Sequence, residues 1–285
     1  MSKKILRSFL FVPADNEKLL LSAISKPCDV VILDLEDGTH PQRKAIAREK
    51  LRESIALIKA SNKLVAVRIN GDLNTAVTDL RAAVQDGLDI VVLPKVEYAR
   101  DIQLFSQLVG DLEKAGNMQS GAVKFLIQIE SAFAMPHLFD IAAADSRNMG
   151  MMLGSEDYSL DLGGIPTPEA LFVPSMMVLQ ACRSARIQPI GFIASIANLG
   201  EVDEFKVVLK QARELGFRGA VVVHPKFLEA VNDCYTPTPE AIAEAQEIVE
   251  KFQEGLNQGL GAVKVNGKMI DKPVYLRAIE ILESI

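Results

Sequence analysis

Along most of the chain, short apolar runs alternate with longer segments patterned as helices. Residues 7–12 (RSFLFV) form the first run, stopped by Pro13, with Asp15 or Asn16 placed to cap a helix over 17–25. Residues 30–35 (VVILDL) are almost continuously apolar, as expected of a strand covered on both faces in a parallel sheet. A long helix is expected over 41–59, a third strand over 64–69, a helix over 75–85 and a fourth strand over 89–93. Helix 98–109, strand 125–129, helix 134–144 and strand 149–153 follow. Residues 163–168 read as a breaker-rich loop before a helix over 175–185. Strand 188–193, helix 202–215 and strand 220–223 complete the series.

Roughly eight strand–helix alternations over about 230 residues fit a (β/α)8 TIM barrel. A doubly wound open sheet is the alternative reading. The barrel is preferred because chemically active residues follow many strands and do not cluster at one crevice. The catalytic barrel is therefore expected to span residues 1–235. Beyond it the pattern changes to a helix, a hairpin with an Asn266-Gly267 turn, and a last helix. This 236–285 extension, taken alone, is expected to be too small to bury its own core, and so to pack on the barrel or on a neighbouring subunit.

Composition narrows the class. The chain has 285 residues, 49% of them hydrophobic, and a net charge of −6. It has no long uninterrupted apolar stretch, so no membrane span is expected. The first apolar run is short and leads into a helix pattern, so it reads as a strand and not as a signal peptide. Three cysteines, an odd number without metal-binding spacing, suit a reducing cytoplasm. The acidic balance and the lack of a basic stripe argue against nucleic acid as a partner.

Chemistry gathers where strands end. On a barrel those ends converge on one mouth, which would collect Asp34, Glu36, Asp37, Arg68, Lys95, Glu130, Asp157 and His224. Glu130 and Asp157 are separated by about one strand–helix–strand unit, and a right-handed crossover would set them side by side. Paired carboxylates of this kind suit Mg2+, which typically uses one or two carboxylates plus substrate oxygens. Arg68 interrupts an apolar strand end, where an unpaired guanidinium is costly. Acids plus one arginine suit a metal ion holding a keto acid, with negative charge on the keto oxygen stabilised beside Arg68. Backbone N–H groups of the Gly154-Ser155-Glu156-Asp157 turn are expected to cradle the substrate carboxylate, as such nests do.

The motifs RSFLFVP, VILDLEDG, VRIN, LPK, IE, GSED…DLG and GFRGAVVVHP occur in that order over nearly the whole chain. Together they resemble the citrate lyase β-subunit-like family, which includes malyl-CoA and citramalyl-CoA lyases within the HpcH/HpaI aldolase superfamily. The resemblance implies a cytoplasmic Mg2+-dependent carbon–carbon lyase on a TIM barrel. Its substrate would be a 3-hydroxyacyl-CoA, cleaved to an acyl-CoA such as acetyl-CoA and a 2-keto acid. The alternatives are a malyl-CoA-type thioesterase and a citrate lyase β chain acting on a carrier-protein thioester. It implies Glu130 and Asp157 as metal ligands, Arg68 as keto-acid ligand and Asp37 as an acid near the metal's water shell. Lys44 and Arg48 match positions near the CoA phosphates, and Asp271 matches a general acid/base near the thioester α-carbon. The C-terminal extension resembles a lid closing on a neighbouring subunit in a homo-oligomer, a trimer or a hexamer of trimers. Departures from the family pattern include Ala14, Ser131, an absent arginine in FVPSMMVLQ, PIGFIASIAN after strand seven, and Lys226-Phe227 after His224-Pro225. They fall on the acyl-CoA side and leave the particular thioester open.

Overall fold

The computed structural model describes residues 5–284. It divides into two compact units, one spanning Leu6–Asn232 and the other made of Ile5 with the residues from Asp233 onward. Among the described residues no helix is long and apolar enough to cross a membrane.

The larger unit runs β1 (Ser8–Pro13), α1 (Glu17–Ile24), β2 (Val30–Asp34), α2 (Lys44–Ala60), β3 (Leu64–Arg68), α3 (Leu73–Ala83), β4 (Ile90–Leu93) and α4 (Ala99–Ala115). It continues with β5 (Lys124–Ile129), α5 (Leu138–Ala143), β6 (Asn148–Leu153), α6 (Ser155–Asp161), α7 (Pro168–Ala185), β7 (Gln188–Pro189), α8 (Val202–Leu215) and β8 (Ala220–Val222). All eight strands are parallel, and the sheet order follows the chain, with β8 beside β1. Two backbone bonds join the remaining edges: Arg218 N–H to Pro189 O at 3.0 Å and Gly191 N–H to Gly219 O at 2.8 Å. The sheet is thereby a ring, the (β/α)8 barrel that the alternation predicts. Gly219 is needed at this seam, because a Cβ there would lie 2.5 Å from Leu6 O.

Both faces of each strand are covered. Val30, Ile32, Ala66, Val92, Leu126 and Val221 meet inside the barrel, while the alternate Val31, Leu33, Val65 and Val67 are equally buried towards the helices. That is the physical origin of the near-continuous apolar runs.

Three elements differ from the sequence expectation. Pro136, lacking an N–H, splits the helix expected over 134–144 into a 3-10 turn (Ala132–His137) and the short α5. Helix α7 starts at Pro168, well before 175, because Thr167 caps it by accepting from Ala170 N–H and Pro168 sits in its first turn. Strand β7 pairs over only two residues, and Gly191 then takes φ +143°, outside strand geometry.

Helix α9 (Leu228–Tyr235) leads into the second unit, which holds α10 (Pro239–Asn257), the antiparallel pair β9 (Val263–Val265) and β10 (Lys268–Ile270), and α11 (Lys272–Glu283). Asn266 and Gly267 both have positive φ, as the Asn-Gly turn requires. Against expectation, this unit buries a small core of its own. Phe252, Val265 and Ile270 are its centre, Tyr275 stacks on Phe252 at 4.7 Å, and Gly255 makes room for Val263.

Candidate active site

The C-terminal strand ends of the barrel carry a dense charge cluster. Asp34 and Arg68 are the last residues of β2 and β3 and are register partners. Arg68 Nε donates to Asp34 Oδ1 at 2.8 Å and Nη2 to Asp34 Oδ2 at 2.6 Å, a bidentate pair. Its Nη1 lies 3.0 Å from Glu36 Oε2, and Lys95 Nζ lies 3.1 Å from Glu36 Oε1. Phe11 packs its ring face against the guanidinium. Burial works against the charge on Arg68, but Asp34, Glu36 and Glu130 outweigh it and hold the pKa above the ordinary arginine value.

Lys95 has φ +52°, a conformation uncommon for a residue with a side chain. Its backbone N–H donates to Glu130 Oε2 at 2.8 Å, while its side chain reaches Glu36. Glu130, 3% exposed, takes a second bond at 2.6 Å from Gln128 Nε2. Gly154 passes directly over this carboxylate, where a Cβ would lie 2.6 Å from Glu130 Cγ. Burial, reinforced by the charges of Glu36 and Asp157, pushes the Glu130 pKa up to about 8. Glu36 is also raised, chiefly by burial, against the opposing charges of Arg68 and Lys95.

The GSED segment is not a turn. Gly154 is the N-cap of α6, and Ser155, Glu156 and Asp157 form its first turn. Gly154 N–H is spent on Ile129 O at 2.8 Å, so its contribution to the site is the space it leaves above Glu130. The first-turn N–H groups of a helix have no intrahelical acceptor, and Ser155 and Asp157 line the same cavity as Asp34, Asp37, Arg68 and Gln128. Glu156 Oε1 is held by Ser195 Oγ at 2.7 Å and Ser155 Oγ at 3.2 Å, tying α6 to the loop after β7.

Asp37 is exposed at the cavity edge. Lys44 bonds Asn70 Oδ1, and Arg48 Nε lies 2.6 Å from Asp79 Oδ1, so both cations are already engaged by the barrel. His224 caps the turn after β8 by accepting from Lys226 N–H at 3.0 Å. Asp271 lies in the second unit, where its Oδ1 caps α11 by accepting from Val274 N–H at 3.2 Å. Sequence reasoning gave Asp34, Glu36 and Lys95 no assigned role and overlooked Gln128. The signal for Gln128 is a lone polar residue inside the apolar run FLIQI.

The donor chemistry fits a hard divalent cation. Asp157 and Gln128 line the cavity, Glu130 is close enough to feel the charge of Asp157, and Gln128 Oε1 is a buried acceptor without a partner. Among the described residues no group of three or more His, Cys, Asp or Glu is placed to hold a metal ion by itself. Mg2+ does not require one, since it keeps waters and substrate oxygens in its shell.

The fold and the site together define a parallel (β/α)8 barrel with an acidic, arginine-bearing mouth. The chain matches the family model for HpcH/HpaI aldolase/citrate lyase over residues 7–225. It belongs to that family, and its enzyme class is that of the lyases. It is 34% identical to citrate lyase subunit beta of Haemophilus influenzae, over 98% of this chain and 97% of that one. It is 31% identical to L-malyl-CoA/beta-methylmalyl-CoA lyase of Cereibacter sphaeroides, over 93% and 90%. Protein CitE of Mycobacterium tuberculosis, solved with magnesium, acetoacetate and coenzyme A, superposes with a TM-score of 0.73 at 27% identity, over 98% of each chain.

Proposed function

We propose that this lyase is Mg2+-dependent and cleaves a 3-hydroxyacyl thioester of coenzyme A to an acyl-CoA and a 2-oxo acid. The observation that carries the reading is the crowding of ionisable oxygens around Glu130. A carboxyl held to a pKa of about 8 beside Asp157 and Glu36 is costly on its own and is relieved by a cation. Glu130 and Asp157 would hold that ion, which supplies positive charge to polarise the substrate's hydroxyl and carboxylate oxygens.

The chain's own groups do the rest. Arg68 uses three N–H donors on Asp34 and Glu36. A guanidinium has five, so two remain for the oxygen that becomes the keto group. The free N–H groups of Ser155 and Asp157 hold the substrate carboxylate. As the hydroxyl loses its proton towards Asp37 and water, the carbon–carbon bond breaks. Its electron pair moves to the thioester α-carbon, which takes a proton from Asp271. No oxidant or reductant is involved. Lys44 and Arg48 would serve the CoA phosphates in this reading by exchanging their partners Asn70 and Asp79 for phosphate oxygens. The working form is a cytosolic homotrimer in which the extension of one copy supplies Asp271 to another.

The test is a set of CoA thioesters with and without Mg2+, following the 2-oxo acid and acyl-CoA released. Release of free CoA and an intact hydroxy acid would identify a thioesterase. The full-length similarity to a citrate lyase subunit beta favours a second reading, a chain acting on a carrier-protein thioester. In that case the purified protein would ignore CoA esters and cleave the carrier-bound substrate.

A further inference from the structure

The cavity at the barrel mouth, about 510 Å3, has two chemically different halves. One carries the acids and Arg68. The other is built by Phe192 and Ile196 after β7, Val221 and Val223 on and after β8, and Leu171 and Val178 on α7. Among the described residues lining the cavity, Arg68 is the only cation, and Asp34 and Glu36 already bracket it. Lys95, beyond the lining, is spent on Glu36.

We infer that the 2-oxo acid released here is a monocarboxylic acid with an alkyl side chain seated on the β7–β8–α7 wall, not a 2-oxo diacid. The inference rests on the lyase reading above and specifies its substrate. A substrate's first carboxylate and hydroxyl are served by the polar half. A second carboxylate would need a partner of its own. The carboxylates of Asp34, Glu36, Asp37, Glu130, Glu156 and Asp157 outnumber the two cations and one divalent ion together, so it would meet repulsion. The apolar half would desolvate it and offer only the hydroxyl of Ser175 on α7, with no cation, in return. An alkyl group placed there gains instead, because each methylene removed from water in a fitted pocket is worth about 10-fold or more in selectivity. Phe192, Ile196 and Val223 would then be specificity-determining residues. Phe192 and Ile196 belong to the PIGFIASIAN stretch, where the chain departs from the family pattern, and Val223 directly follows β8.

The test has two readouts on the full-length protein. The first is kcat/KM with Mg2+ on 3-hydroxyacyl-CoA esters that differ only at the hydroxyl-bearing carbon: hydrogen, methyl, ethyl or carboxymethyl. The second is calorimetric binding of the corresponding 2-oxo acids in the presence of Mg2+. The expectation is a rise of about 10-fold from hydrogen to methyl and again to ethyl, with the carboxymethyl compound at least about 100-fold below ethyl. Val223→Arg, at a position 51% exposed and so tolerant of a long side chain, should narrow that last gap at least about 10-fold. A carboxymethyl substrate or diacid that matches or beats the alkyl series overturns the inference while leaving the lyase reading intact. A flat response to alkyl length also overturns it, since the wall would then be holding the thioester arm. Graded binding of alkyl 2-oxo acids without cleavage of any ester would sink the lyase reading and sustain the pocket assignment. Absence of both would sink the two together.

Discussion

Two buried arginine–carboxylate clusters in this barrel look alike at first sight. On the outer layer, Arg147 donates Nη1 and Nη2 to the two oxygens of Glu113 at 2.7 Å each, Nη1 also to Val123 O and Nε to Ser106 Oγ. Glu113 in turn accepts from Gly121 and Val123 N–H at 2.9 Å. Burial would raise Glu113, but Arg147 and these amides outweigh it and hold the pKa below the usual glutamate value. At the mouth, Arg68 is just as buried, yet its neighbourhood holds too many acids. Glu130 and Glu36 are pushed up, and Gln128 Oε1 lacks a hydrogen-bond partner. A satisfied buried charge ties α4 to the strands behind it; an unsatisfied one is a place prepared for a ligand.

The contrast is most easily broken at Glu130. Glu130→Gln should lower kcat/KM by about 10³-fold, while the melting temperature of the metal-free protein stays level or rises, because the neutral amide replaces a carboxyl that burial already keeps protonated up to about pH 8. A large loss of stability would show Glu130 to be structural. Glu113→Gln should do the reverse. Removing one partner of a buried pair costs about 3–5 kcal/mol, read in a denaturant melt, with activity per folded molecule unchanged.

The pH dependence sharpens the same point. An unfolded glutamate ionises near ~4.3, whereas Glu130 keeps its proton to about 8. Between those values the unfolded chain releases a proton that the folded one retains. Metal-free protein should therefore lose stability as pH rises from about 5 to 8. Mg2+ should offset the loss above pH 7 and do little at pH 5, and the slope should flatten in Glu130→Gln. Thermal melts across pH with and without Mg2+ check this; a Mg2+ effect independent of pH would count against the ion sitting on Glu130. The smallest effect is expected from mixing two crippled variants, Arg68→Lys, which keeps the charge but not the fork, and Asp271→Asn. If Asp271 serves another copy, mixing and re-equilibrating the two should restore a measurable fraction of activity. No recovery would confine the site to one chain.

Much of the barrel is legible because its strands are covered on both faces, which leaves runs such as VVILDL and LVAVRI in plain view. The acids closing VILDLED and the arginine closing VAVR mark strand ends, so the mouth can be assembled from the alternation alone. Helix α6 is hidden because GSED reads as a turn and its seven residues are too few for helical periodicity. The core of the C-terminal unit is hidden for a related reason. Phe252, Val265, Ile270 and Tyr275 come from four separate elements, and none shows that it will meet the others.

The order of strands and helices, the Asn-Gly hairpin and the acids at the strand ends are properties of the sequence, because periodicity and local turn chemistry act over a few residues. Which acid pairs with Arg68, how closely Gly154 lets α6 approach Glu130, and which half of the cavity stays apolar were decided only in three dimensions. Those outcomes depend on strand register and on the seam between β7 and β8, and register is a relation between segments that neither segment carries alone.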